Sequence, residues 1–377
     1  MSVRPYRDID RRPSRRVYVG AVPVGDGAPI TVQSMTNTLT SDVAATVAQI
    51  HALEEAGADI VRVSCPDQAS TAALKQITAE IEAPIVADIH FHYKRATEAA
   101  AAGAAGLRLN PGNIGSRDRV ETVARKCADR SVPIRIGVNA GSLEKDLLDK
   151  YGYPTAEGMV ESAIRHVRIL EEVDFTNIKI SIKASSVPLM VESYRLLSSK
   201  VDYPLHVGVT EAGIPPAGTI KSAIGIGMVL AEGIGDTIRV SLTADSVEEV
   251  TAGYDILRTL GIRAKGPLLV ACPTCGRIEV DLFKMVEEAQ RRLAHLSAPI
   301  TVSILGCAVN GPGEAREADI GIAAGKNGGL LIRKGKVIGK YPEGELVDRL
   351  VEAAEAIAAE QECEDSGAVL TTARSHT

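Results

Sequence analysis

The 377 residues read as an α/β chain: a (β/α)8 TIM barrel followed by a small α/β domain. Three observations lead there. Short β-branched runs alternate with Ala/Leu/Glu-rich segments of helical period between residues 29 and 262, the pattern of parallel β/α units. Eight such units in about 235 residues is the size of a closed barrel. The turn after the first run, MTNTLT at 35–40, lacks the G-x-G-x-x-G of an open doubly wound sheet.

Taken in order, strands are expected at 30–35 (ITVQSM), 59–65 (DIVRVSC), 84–90 (PIVADIH), 106–110 (GLRLN), 133–139 (PIRIGVN), 178–183 (IKISIK), 204–210 (PLHVGVT) and 237–242 (TIRVSL). Helices such as 42–57 and 155–173 fill the intervals, and residues 25–262 form the barrel domain. Ahead of it lies an arm, 1–24, with six Arg in its first sixteen residues. Asp8 and Asp10 interrupt them and no apolar segment follows, so a solvated arm is expected rather than a secretory signal. RAKGP at 263–267 breaks the rhythm and serves as linker. The second domain, 268–362, should hold a strand at 268–272, a helix at 280–296 and a strand at 300–306. Short strands at 318–323, 329–334 and 336–340 and a helix over 343–359 complete it. Residues 363–377 carry no apolar period and read as a disordered tail.

Composition excludes several function classes. Nine Tyr, three Phe and no Trp leave too few rings for a base-stacking platform, and a net charge of −6 gives no global basic field for nucleic acid. No apolar run approaches the roughly 18 residues of a membrane span. A soluble, cytoplasmic protein is expected. Six Cys are too few for a disulfide scaffold in a chain of this length.

Active sites of such barrels sit at the C-terminal ends of the strands. There the sequence places Arg62, Asp88, His90, Arg108, Asn110, Arg135, Asn139, Lys183, Thr210, Glu211, Arg239 and Ser241. An inward Arg can simply pair with a neighbouring Asp. Five basic groups converging from different strands, with about three carboxylates among them, instead leave net positive charge in a low-dielectric cleft. Arg forks match phosphate oxygens and Lys adds a point charge, so the substrate is expected to be anionic, phosphorylated or a diphosphate. His90 and His92 share a strand face but have no third ligand at suitable spacing.

The second domain carries A-C-P-T-C-G-R at 271–277 and L-G-C-A-V-N-G-P-G-E-A at 305–315. Cys272, Cys275 and Cys307 thus fall in turns punctuated by Pro and Gly, and no fourth Cys or His lies nearby. The nearest oxygen ligand is Glu314. Three thiolates and a carboxylate are unusual for structural zinc but suit a [4Fe–4S] cluster with one distinctive iron. Glu314 also reads as an ordinary helix-start carboxylate. A phosphate-handling barrel lyase or transferase with a structural zinc domain therefore stays open at this point, as does a zinc-ribbon binding module.

C-P-T-C-G-R together with G-C-A-V-N-G-P-G-E, behind a barrel that begins P-I-T-V-Q-S-M-T, resembles the bacterial 4-hydroxy-3-methylbut-2-en-1-yl diphosphate synthases of the non-mevalonate isoprenoid pathway, over residues 14–360. The resemblance implies reductive ring opening of 2-C-methyl-D-erythritol 2,4-cyclodiphosphate, with two electrons supplied by flavodoxin or ferredoxin. It implies a [4Fe–4S] cluster on Cys272, Cys275, Cys307 and Glu314. It places substrate on Arg108, Asn110, Arg135, Asn139, Lys183, Thr210, Glu211, Arg239 and Ser241, with Arg62, Asp88 and His90 beside them. Glu211 would donate a proton or anchor the ring. Members are homodimers in which the cluster domain of one chain caps the barrel of the other, making a composite active site.

Overall fold

The computed structural model describes residues 9–307 and 311–373. They fall into two compact units that divide between Arg263 and Ala264.

The first unit opens with two short strands, β1 (Val17–Val19) and β2 (Val22–Val24), paired antiparallel. Eight parallel strands follow: β3 (Thr31–Met35), β4 (Ile60–Ser64), β5 (Ile85–Asp88), β6 (Gly106–Arg108), β7 (Ile134–Asn139), β8 (Ile178–Lys183), β9 (His206–Val207) and β10 (Thr237–Ile238). They pair in the order β8-β7-β6-β5-β4-β3-β10-β9, and a parallel bridge from Ile180 to Leu205 closes the ring. The helices between them are α1 (Val43–Ala56), α2 (Gln68–Glu80), α3 (Tyr93–Ala101), α4 (Arg117–Ala128), α5 (Lys145–Tyr151), α6 (Ala156–Glu171), α7 (Val187–Ser198), α8 (Ala217–Ala231) and α9 (Ser246–Thr259). This is the (β/α)8 barrel that the alternation predicts, with α5 as an extra short helix after β7.

Alternation within the strands sorts the side chains. In β8, Ile178, Ile180 and Ile182 join the apolar layer under the helices, while Lys179, Ser181 and Lys183 are buried on the other face, toward the lumen. Capping residues place the helices that follow: Asp67 Oδ1 accepts the Ser70 N–H at 2.8 Å at the start of α2, and Thr155 Oγ1 accepts the Gly158 N–H at 3.1 Å at the start of α6. β9 and β10 are only two residues long, against the longer runs expected, because the chain leaves the ladder after Val207 and Ile238 and rises into loops.

The solvated arm is corrected by the structure. Its described part is docked on the barrel. Val17, Val19 and Val24 are buried against Ile60 and Val86, so the β1–β2 hairpin closes the barrel floor. Arg11 reaches Asp236 at 2.9 Å and Arg12 donates to the Tyr203 carbonyl at 2.6 Å. The alternation V-Y-V-G-A-V-P-V carries this hairpin, and the apolar side it buries outweighs the solvation of the arginines beside it.

In the second unit the strands are β11 (Leu268–Ala271), β12 (Thr301–Leu305), β13 (Ile320–Gly325), β14 (Gly328–Arg333) and β15 (Lys336–Tyr341), in sequence order across one sheet. The first three are parallel, and β14 and β15 turn back antiparallel. The helices are α10 (Leu282–Leu293), the short α11 (Gly311–Glu314) and α12 (Leu346–Ala373). Met285, Ala289 and Leu293 of α10 and Leu350, Ala354 and Ile357 of α12 bury the sheet face formed by Val302, Ile304, Ile320 and Ile322. The helix expected to end near 359 runs on to Ala373, through most of the stretch read as disordered tail. No helix breaker intervenes before Gly367, and extending an existing helix needs no new nucleus.

Candidate active site

The barrel lumen is charged. Asp88, at the end of β5, is buried and stands 3.3 Å from Arg108 of β6 and 3.7 Å from Arg62 of β4. Arg62 also lies against the Met35 sulfur of β3. Arg135 of β7, almost fully buried, donates to Ser181 Oγ of β8 at 3.2 Å. Arg239, just past β10, faces Glu249 of α9 at 3.5 Å. Glu249 in turn accepts from the Leu242 N–H at 2.9 Å and from Ser34 Oγ at 3.1 Å, tying α9 to the strands on either side of it. Backbone space is cut to fit this network. A Cβ on Gly137 would lie 2.7 Å from Arg108 Nε, so only glycine lets that guanidinium lie across β7 and donate to the Gly137 carbonyl at 3.2 Å.

The cations outnumber the carboxylates that face them, and their proton affinities record it. Burial, opposed by Asp88 and reinforced by Arg239 and Arg108, pushes the Arg62 guanidinium down to about 10. Burial and then the neighbouring Arg62 and Arg108 lower Arg135. Burial and then Arg239, Arg135 and Arg62 lower Lys183. Burial alone would raise the Asp88 carboxyl, but Arg62, Arg108, His90 and Arg135 together hold it below its ordinary value. Such a site gains from an entering anion, because each cation is short of a partner in low dielectric.

The expected site residues divide into two groups. Arg62, Asp88, Arg108, Arg135, Lys183 and Arg239 come together as one cluster. His90 stands at its edge, half-exposed, 3.9 Å from Asp88. Asn110 is spent on the backbone of Gly137, donating to its carbonyl and accepting its N–H at 3.0 and 2.9 Å. Asn139 accepts from the Gly141 N–H and shapes a turn. The side chains of Thr210, Glu211 and Ser241 make no hydrogen bond or ion pair among the described residues, and Glu211 sits exposed with φ at 52°. His92 precedes α3 without capping it.

Sequence reading missed Lys179, His206 and Glu249. Lys179 is 2% exposed and donates to Thr237 Oγ1 at 3.4 Å; burial and then Arg135 push it down to about 7. His206 is fully buried, and burial followed by Arg135, Lys183 and Lys179 holds it neutral. The signal was present for Lys179, since period-two alternation puts Lys179 and Ser181 on the face of Lys183. Attention to strand ends alone passed over the layer beneath.

The second unit brings its cysteines to the C-terminal ends of adjacent parallel strands. Cys272 follows β11 and Cys307 follows β12, and the Gly306 N–H donates to Cys272 Sγ at 3.4 Å. Cys275 is exposed; hydrogen bonds from the Arg277 backbone and side chain lower its thiol. The same guanidinium feels Cys275, Cys307 and Glu314, so one cation lies within electrostatic reach of three of the four expected ligands. Among the described residues, no three His, Cys, Asp or Glu stand close enough to hold a metal ion. The donor chemistry nevertheless fits an iron–sulfur group: thiolates on strand-end turns, an N–H aimed at sulfur and a nearby cation. By contrast, Cys65 and Cys127 in the barrel are buried thiols, each pushed up to about 12 by burial.

A closed barrel with a cationic lumen, carried in one chain with a domain of cysteine-bearing turns, defines an enzyme acting on an anionic substrate. Residues 14–254 match the GcpE TIM-barrel domain and residues 268–356 match the GcpE protein C-terminal domain. Similar proteins carry the name 4-hydroxy-3-methylbut-2-en-1-yl diphosphate synthase (flavodoxin). The one from Rhodospirillum rubrum is 59% identical over 371 residues, covering 96% of each chain. That of Symbiobacterium thermophilum is 58% identical over 352 residues, 93% of this chain and 95% of the other. That of Geobacter sulfurreducens is 57% identical over 348 residues, 92% of this chain and 99% of the other. The chain belongs to the GcpE family. No helix among the described residues is long and apolar enough to cross a membrane.

Proposed function

We propose that this chain opens 2-C-methyl-D-erythritol 2,4-cyclodiphosphate to (E)-4-hydroxy-3-methylbut-2-enyl diphosphate, taking two electrons from flavodoxin and releasing one oxygen as water. The family assignment supports the reaction. The observation that carries the site is the cluster of Arg62, Arg108, Arg135, Lys183 and Arg239 around the buried carboxylates Asp88 and Glu249. These cations neutralise the diphosphate, and Arg108, fixed over Gly137, supplies a planar donor pair that orients it. Glu211 donates a proton or anchors the ring; turnover that survived Glu211→Gln would remove it from that role. The barrel, 25–262, takes the substrate, and the domain 268–362 takes the electrons.

Cys272, Cys275, Cys307 and Glu314 hold a [4Fe–4S] cluster, which supplies one-electron transfer and Lewis acidity. The family likeness and the donor set support that assignment. The functional unit is a homodimer with a composite site, in the cytoplasm. Two exposed apolar surfaces support self-association: Leu39, Phe91, Tyr153 and Ile214 on loops at the barrel mouth, and Ile220, Ile224 and Met228 along α8. Ile220→Lys with Ile224→Lys separates the two surfaces in sedimentation, since only the α8 route predicts a monomer.

The test is turnover of the cyclodiphosphate by anaerobically reconstituted protein with reduced flavodoxin, followed by phosphorus NMR. Appearance of the linear diphosphate is the expected result. No turnover, with one zinc and no sulfide per chain, would move the assignment to a barrel lyase or transferase with a structural metal.

A further inference from the structure

The second unit is rich in carboxylates, yet its basic side chains are not evenly mixed with them. Residues 333–340, RKGKVIGK, contain Arg333, Lys334, Lys336 and Lys340 and no acid. They form the turn of the β14–β15 hairpin and most of β15, which is an edge strand of the sheet. Arg333 is paired with Glu360. Arg316, Lys334, Lys336 and Lys340 are exposed and make no ion pair among the described residues. Between the lysines, Val337 and Ile338 are 58% and 50% exposed.

Lysines on an edge strand guard against edge-to-edge pairing, and that alone accounts for Lys336 and Lys340. It does not account for where the hairpin turn lies. A Cβ on Gly335 would stand 3.8 Å from Arg316 Cβ and Cγ, so the turn rests on Arg316, two residues beyond Glu314. Arg277 is within electrostatic reach of Glu314, Cys275 and Cys307. Arg316, Lys334 and Lys336 thus form a cationic strip at the hairpin turn, two residues past Glu314 in the chain, and Arg277 adds a cation at the cysteine turns. Glu314 and Glu317 are exposed carboxylates on either side of Arg316 in the chain.

We propose that Arg316 and the β14–β15 hairpin form the docking surface for an acidic, flavin-carrying electron-transfer protein. The strip supplies long-range steering, and Val337 with Ile338 supplies the small apolar contact of a transient redox encounter. Docking there brings the donor flavin next to the turns of Cys275 and Glu314, and its electron leaves the reduced flavin for the acceptor held by those turns. This inference rests on the flavodoxin-dependent reading of the chain and adds the place where the donor binds.

The test is Lys334→Glu with Lys336→Glu in the reconstituted full-length protein, assayed with reduced flavodoxin and, separately, with reduced methyl viologen. The KM for flavodoxin should rise about tenfold or more at low salt, and its dependence on ionic strength should flatten. The rate with the small cationic reductant should stay at the parent level. Lys334→Arg with Lys336→Arg should keep the parent KM. An unchanged flavodoxin KM in the charge-reversed protein would overturn the docking surface. So would a parallel fall with both reductants, which would place the defect in the cluster domain's integrity. Inactivity of the parent protein with both reductants would instead strike the proposed function.

Discussion

Asp88 and Arg108 face each other in register on β5 and β6, 3.3 Å apart, and the same carboxylate also compensates Arg62 at 3.7 Å. One buried acid thus holds two partly buried cations. Asp88→Asn removes the nearest counter-charge of both and should cost about 3 kcal/mol in denaturant unfolding. Pyrophosphate should restore part of that loss by filling the vacant role. A variant as stable as the parent would show that the carboxylate is not the compensating group. Because the folded-state affinity of Asp88 for protons is depressed, its contribution is full above the unfolded carboxylate value of about 3.9. It is lost as pH falls below that value and through the folded one.

Gly137→Ala tests the same cluster by geometry rather than charge. The added methyl meets the far end of the Arg108 side chain, which can swing away, so the fold should survive with a loss of about 1–2 kcal/mol. The KM for the anionic substrate should rise about tenfold as the donor pair loses its orientation. Unchanged KM would mean that Arg108 does not contact substrate.

Lys179 makes a pH prediction with a definite sign. Burial lowers its folded-state value to about 7, against an unfolded value of about 10.4. Between those limits the unfolded chain binds the extra proton, so stability rises with pH across that window. Lys179→Met removes the slope. Its stability relative to the parent should be greatest near pH 7 and shrink toward pH 10, as read from thermal melts. Parallel pH curves for the two proteins would refute the depressed value.

Iron and acid-labile sulfide report on the cysteine turns directly. About four of each per chain are expected after anaerobic reconstitution, falling sharply in Cys307→Ser. Retention of full iron and sulfide in that variant would remove Cys307 from the ligand set. Cys127→Ser changes a thiol buried in the barrel and should keep full iron content.

The barrel was legible because both of its periods are written in the chain: β8 alternates Ile with Lys or Ser, and each strand is followed by a helical segment. Arg108 and Arg135 were legible for the same reason, as charged residues in apolar runs. Lys179 and His206 escaped because they sit below the strand ends, where a packed layer was expected. Glu249 escaped because it reaches the site from α9, and helix carboxylates usually face water. The positions of Thr210, Glu211 and Ser241 follow from where β9 and β10 stop, and nothing in V-G-V-T-E or I-R-V-S-L marks a two-residue strand. The floor hairpin was hidden by its arginine-rich lead, whose charges dominate any average over the arm.

Among the described residues, the hairpin on the barrel floor leaves the lumen one doorway. With Val17, Val19 and Val24 seated on Ile60 and Val86, reactant must enter and both products must leave by the same end. Traffic through one door is sequential. The linear diphosphate has to leave before a fresh cyclic one can enter. Product release then contributes to the pace of the whole cycle, and turnover should slow as the solvent is made more viscous.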